Sequence, residues 1–168
     1  MKNHLPPTTY HLQTRRGFTL IEILIVLAII GVLVAPLTLY LFGFRTEQSL
    51  SLDGRVLSGV LQDARQKSIF QEQDSRWSVR FDSDGGWYDL FQGTDYALAP
   101  LRMRYRLSSS IRFTAPSSGM VLDVSFETIS GCLLSGGSCS GSQETIVIVS
   151  NTGQRTITVF PNGRVDVQ

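Results

Sequence analysis

The sequence predicts an α+β protein: a long N-terminal stalk helix, transmembrane and then amphipathic, packed on a mostly antiparallel C-terminal β domain. Three observations lead there. From Phe18 to Phe44 the chain holds a single charge, Glu22, in 27 residues. From Leu50 to Ala64 apolar residues recur mostly at three- and four-residue steps, the period of a helix face. From Arg76 onward the period falls to two, and Gly-rich turns separate short runs. About 120 of the 168 residues lie beyond the apolar run, enough for one modest domain.

The apolar run is long enough to span a bilayer, which takes about 20 residues of helix. Before it, residues 1–17 hold Lys2, Arg15 and Arg16 and no acid, so this flank is expected to stay cytoplasmic and the C-terminal domain to lie outside. A cleaved secretory signal would need a shorter apolar region and a small-residue exit site. The nearest candidate, Leu33-Val34-Ala35, has a bulky first residue and is followed by Pro36. Thr14-Arg15-Arg16-Gly17-Phe18 has the look of a twin-arginine signal. Neither route explains Glu22.

A carboxylate deep in hydrocarbon costs about 2.5–3.5 kcal/mol even on mild insertion scales. Cleavage between Gly17 and Phe18 would supply it with a partner. The new α-amino group on Phe18 has a reference pKa near 8, and Glu22 lies one helical turn along on the same side. The unpaired N–H groups and positive dipole end of a new helix start also favour a carboxylate there. Among packed helices, Glu22 would equally meet the Phe18 amine of a neighbouring subunit, and that pairing would set register.

Gly17-Phe18-Thr19-Leu20-Ile21-Glu22, followed by Ile-Leu-Ile-Val-Leu-Ala-Ile-Ile-Gly-Val-Leu, resembles the prepilin processing motif of type IV pilins and type II secretion pseudopilins. The resemblance implies cleavage after Gly17 by a prepilin peptidase, N-methylation of Phe18, storage in the inner membrane, and extraction into a fibre or its tip. It divides the chain into a leader (1–17), a transmembrane helix (18–44), a soluble continuation of the stalk (45–70) and a periplasmic β domain (75–168). The implied partners are the peptidase/methyltransferase, other pilin or pseudopilin subunits and the inner membrane. The leader is longer than many in the family.

Beyond the membrane, Leu50, Val56, Leu57, Val60, Leu61 and Ala64 form a stripe that reads as a helix face buried on a sheet. Gly54 and Gly59 weaken that helix by up to about 1 kcal/mol each. Pro36 is expected to kink or locally melt the membrane half. In the β domain, Trp77, Val79 and Phe81 alternate with polar residues, as do Leu122, Val124 and Phe126. Ile146-Val147-Ile148-Val149 is apolar on both faces, which suits a central strand. Turns fall at Ser83-Asp84-Gly85-Gly86, Asn151-Thr152-Gly153 and Pro161-Asn162-Gly163. A long helix, then hairpins ending in Phe160-Pro-Asn-Gly-Arg-Val165, resembles the GspH/FimT branch of minor pseudopilins.

Cys132 and Cys139 are the only cysteines, within one Gly/Ser-rich loop. In an oxidising periplasm two such close cysteines form a disulfide, worth about 2.5 kcal/mol in the chain-entropy model; two unpaired thiols are the alternative. They are too few for a metal site. Both histidines, His4 and His11, lie in the leader, so the mature chain would have no imidazole for acid–base work. Asp82-Ser83-Asp84-Gly85 resembles a fragment of a calcium loop without its later ligands, and reads better as a hairpin turn. The expectation is a protein with no catalytic site, no metal and no cofactor.

Nucleic-acid binding is the rival reading. Arg102, Arg104 and Arg106 alternate on one strand face, with Arg112 just beyond, and such a row could neutralise phosphates. A solvated strand face is the plainer account. Removing the leader takes three of the 15 basic residues and none of the 14 acidic ones, leaving a net charge of −2. Some FimT-like pilins bind DNA for uptake through a C-terminal Gly-Arg-x-Arg motif. Gly163-Arg164-Val165-Asp166 keeps the first arginine and puts an acid in place of the second.

Overall fold

The computed structural model describes residues 17–168, with the side chains of 35–44 excepted. One helix, α1 (Leu20–Ile69), is followed by ten strands: β1 (Trp77–Asp82), β2 (Trp87–Gln92), β3 (Arg102–Arg106), β4 (Arg112–Ala115), β5 (Val121–Ser125), β6 (Leu134–Ser135), β7 (Ser138–Cys139), β8 (Glu144–Val149), β9 (Gln154–Val159) and β10 (Val165–Val167). The chain divides into two compact units, Met1–Tyr40 and Leu41–Gln168. In the first, α1 is helical without interruption through Pro36. Of the two outcomes expected there, local melting does not occur. Proline removes one N–H from the ladder, and the turns on either side carry the helix past it.

The second unit, the head, holds two four-stranded antiparallel sheets and a small hairpin. Sheet A runs β3-β2-β1-β5, sheet B runs β10-β9-β8-β4, and β6 pairs with β7. Their inner faces share one core. Val79, Phe81, Leu90 and Val124 come from sheet A, Ile146, Ile148, Ile157 and Val159 from sheet B, and each is fully enclosed. Phe81 bridges the two, stacked on Tyr88 and edge-on to Phe113 of β4, both at 5.9 Å between ring centres. β8 is an interior strand, as its apolar run predicts: Ile146 and Ile148 are buried, and Val147 and Val149 are half-buried on the other side.

The later part of α1 completes this core. Leu50, Leu57, Leu61, Ala64 and Ser68 are buried at helical spacing. Each fully buried leucine contributes about 1.5–3 kcal/mol. Val56 was expected in this stripe, but it is 41% exposed. Four residues behind Val60 on the helix surface, it lies at the stripe's margin rather than under the sheets. Gly54 is buried instead, with the Arg155 stem and Ile148 within 4 Å of where a Cβ would stand.

The helix is tied to the first strand at its end. Ser68 Oγ accepts from the Trp77 N–H at 2.8 Å and donates to the Trp77 carbonyl at 3.3 Å, both in the interior. The link between them turns through left-handed backbone at Gln71, Gln73 and Asp74. A second tie comes from Arg65, whose Nε donates to Gly131 O at 3.1 Å and whose Nη2 donates to Asn162 O at 3.4 Å. One side chain of α1 thereby holds the start of the disulfide loop and the β9–β10 turn.

Candidate functional site

Gly17, Phe18 and Thr19 precede the helix and have no regular structure. Phe18 is 79% exposed, and a side chain added at Gly17 would meet nothing within 4 Å. The Gly17–Phe18 peptide bond therefore lies in open, non-helical backbone, the form in which a peptidase takes a chain. Glu22 stands in the first turn of α1, one turn beyond Phe18, where its carboxylate opposes the positive helix end. Its amine partner would exist only after cleavage.

Thr19 adds a feature that the sequence reading missed. Its Oγ1 accepts from the Glu22 N–H at 3.3 Å, capping one of the four free N–H groups at the helix start. The signal was legible as Thr-x-x-Glu ahead of an apolar run, the spacing of a capping box. The residue whose N–H the threonine caps is thus Glu22 itself. From Leu20 to Val34 the described side chains are exposed on every side of the helix, and all but Glu22 in this stretch are apolar or glycine. A helix that is apolar all round requires a non-aqueous or protein surround.

Among the described residues no helix is long and apolar enough to cross a membrane. The expected span over 18–44 includes 35–44, whose side chains lie outside the described residues, as do residues 1–16 of the leader, with His4 and His11.

The arginines are placed as follows. Arg102, Arg104 and Arg106 share the outer face of β3, but they do not form a free row. Cross-strand pairing sets Arg104 beside Asp89, Asp89 beside Arg80, and Arg80 beside Asp123, so charges alternate across sheet A. Arg104 grips Asp89 with both Nε (2.9 Å) and Nη2 (2.8 Å) and stacks over the Trp87 ring at 3.8 Å. Tyr96, in the β2–β3 connection, donates its hydroxyl to the same carboxylate, and Arg80 and Arg102 lie over its ring at 4.1 and 4.3 Å. Arg112 belongs to sheet B and is exposed, while Arg164, at the β9–β10 turn, pairs with Asp166 at 3.2 Å. The structure thus groups three of the five and leaves two apart.

The Asp89 side chain is 1% exposed. Burial pushes its carboxyl up, but the hydrogen bonds from Arg104 and Tyr96 outweigh that and hold it below the ordinary range. A depressed carboxyl stabilises the fold at pH above its unfolded value, about 3.9, and loses that contribution as the pH falls through the lower folded value. Asp89→Asn is expected to cost about 1–3 kcal/mol at neutral pH. Urea unfolding followed from about pH 6 to about pH 2 should show the variant's deficit shrinking toward acid. A deficit independent of pH would show that charge is not the cause.

Cys132 and Cys139 are joined as a disulfide across the β6–β7 hairpin, with their Cα atoms 5.7 Å apart. The hairpin bears Leu133, which is buried in the core and whose N–H donates to Pro161 O at 3.0 Å. Asp82-Ser83-Asp84-Gly85 forms the β1–β2 turn, where Asp82 Oδ1 accepts from the Gly85 N–H at 2.7 Å. Asp84 accepts from Gly119 N–H and Ser118 Oγ, and these bonds hold its carboxyl below the ordinary range. Among the described residues no three His, Cys, Asp or Glu side chains are grouped to hold a metal ion.

An open, non-helical junction at Gly17–Phe18, a carboxylate one turn on and an apolar helix thus follow one another in the first described residues. Residues 12–38 match the prokaryotic N-terminal methylation motif. That match supports a type IV pilin-like protein or pseudopilin processed by a prepilin peptidase, and it covers Gly17, Phe18 and Glu22. Comparisons with curated proteins and with solved structures find no match.

Proposed function

We propose that the chain is a minor pseudopilin or pilin of the GspH/FimT type, without catalytic activity. It is cut after Gly17, methylated on Phe18, and stored in the bacterial inner membrane with its head in the periplasm. From there it assembles into a type II secretion pseudopilus or a type IV pilus, with a role at the tip or in initiation. The observation that carries this reading is the methylation motif joined to an exposed apolar helix that continues into the head. The order of long helix, hairpins and a terminal Phe160–Val165 turn supports the GspH/FimT branch.

Glu22→Ala is the discriminating variant. It leaves the cut site and the apolar stretch intact, so processing and membrane insertion should continue while incorporation into fibres falls at least about tenfold. Immunoblots of sheared fibres against membrane fractions read both quantities. Fibre incorporation at the wild-type level would remove Glu22 from the assembly step.

DNA uptake through the arginines has less in its favour. Arg104 and Arg164 are each paired with a carboxylate, Asp89 and Asp166. Phosphate binding at either would first have to displace that partner.

A further inference from the structure

β3 is the end strand of sheet A and is paired on one side only, with β2. Gln92 N–H donates to Leu101 O at 3.1 Å, and Leu107 N–H donates to Gly86 O at 3.0 Å. Bonding alternates along an antiparallel strand, so Leu101, Met103, Tyr105 and Leu107 direct their backbone groups to β2. The N–H and C=O groups of Arg102, Arg104 and Arg106 therefore face the open edge. Their side chains all stand on the outer face of the sheet. Asp89 neutralises Arg104, while Arg102 and Arg106 make no ion pair among the described residues. On the other face of the strand, Leu101 and Met103 are 43% and 42% exposed.

The remaining sheet ends offer less. β4 has four residues with a register shift, and β10 has three. β5 leads directly into the bridge between Phe126 and Leu133.

We propose that the β3 edge binds an extended acidic segment of a partner protein, which joins sheet A as a fifth strand. Backbone bonds to Arg102, Arg104 and Arg106 supply affinity, and alternate side chains supply specificity. Residues of an added antiparallel strand that stand opposite Arg102 and Arg106 are four positions apart and share their face. Acids belong at those two positions. The position between them faces Arg104, whose charge Asp89 already holds, and stays neutral. The alternate residues, opposite Leu101, Met103 and Tyr105, share the other face and are apolar. The same two guanidiniums repel the β3 edge of a second copy. A nucleic-acid strand would use the charges but leave the backbone groups and the apolar side unmatched. The surface lies wholly within the head, so its occupant does not depend on whether the chain enters a fibre.

The test uses the full chain in detergent micelles and a short fluorescent peptide that alternates valine with polar residues and carries glutamates opposite Arg102 and Arg106. Anisotropy should report saturable binding. Three changes should each weaken it about tenfold or more: lysines in place of the glutamates, N-methylation of the peptide amides that face the edge, and Arg102→Glu combined with Arg106→Glu. Arg102→Glu gives up the contacts of Arg102 with the Tyr96 ring and with Ala97 O, so the unfolding midpoint of the double variant is measured beside its binding; the two altered peptides probe the unmodified protein in any case. Equal binding of the lysine or N-methylated peptide, no binding of the glutamate peptide, or tighter binding of single-stranded DNA of the same length would overturn the proposal.

Discussion

Gly163→Ala is expected to destabilise the head by about 3–5 kcal/mol, the sum of a left-handed backbone penalty and an unrelieved steric contact. Gly163 has φ +77°, and a Cβ there would stand 1.8 Å from Gly131 O and 2.6 Å from Arg65 Nε. The obstacle is backbone, so it cannot rotate away. Relief requires parting the β9–β10 turn from the disulfide loop, which also releases Arg65 from Gly131 and Asn162. Gly141→Ala is the control, because nothing lies within 4 Å of its Cβ position; it should change stability by less than about 0.5 kcal/mol. Urea unfolding midpoints of the two variants make the comparison. If Gly163→Ala unfolded with the wild type, these two turns would not meet as described.

Leu61→Ala ranks next, with an expected loss of about 2–5 kcal/mol. Leu61 is fully enclosed in the core shared by the helix and both sheets. Truncation leaves a cavity that rigid strands on two sides cannot close. Val56→Ala, five residues earlier on the same helix but 41% exposed, should cost less than about 1 kcal/mol. The contrast isolates the buried face of α1 as the element that fastens it to the head. Equal losses for the two variants would mean that helix propensity, not packing, dominates.

Local signals carried much of this structure in the sequence. Period-two alternation placed β1 and β5, a short run apolar on both faces placed β8, and the turn residues placed the hairpins, because strand faces and tight turns follow near neighbours. The close spacing of Cys132 and Cys139 was likewise enough to expect their bond. What the sequence left open depends on distant segments. Arg104 reads as a free cation until the β2–β3 register sets it against Asp89, fifteen residues away. Gly54 reads as a helix defect until Arg155 and Ile148 pack on it, and Gly163 as an ordinary turn glycine until Gly131 and Arg65 close around it. Thr19 is a different case. Its capping role was written in a four-residue pattern and was overshadowed by the charge three positions later.

The pairing of Glu22 with an amine created by proteolysis depends on which residue begins the mature chain. Mass spectrometry of the polypeptide recovered from bacterial membranes should find Phe18 first, its amino group methylated. A chain that still begins at Met1, or that is trimmed anywhere other than before Phe18, would contradict it.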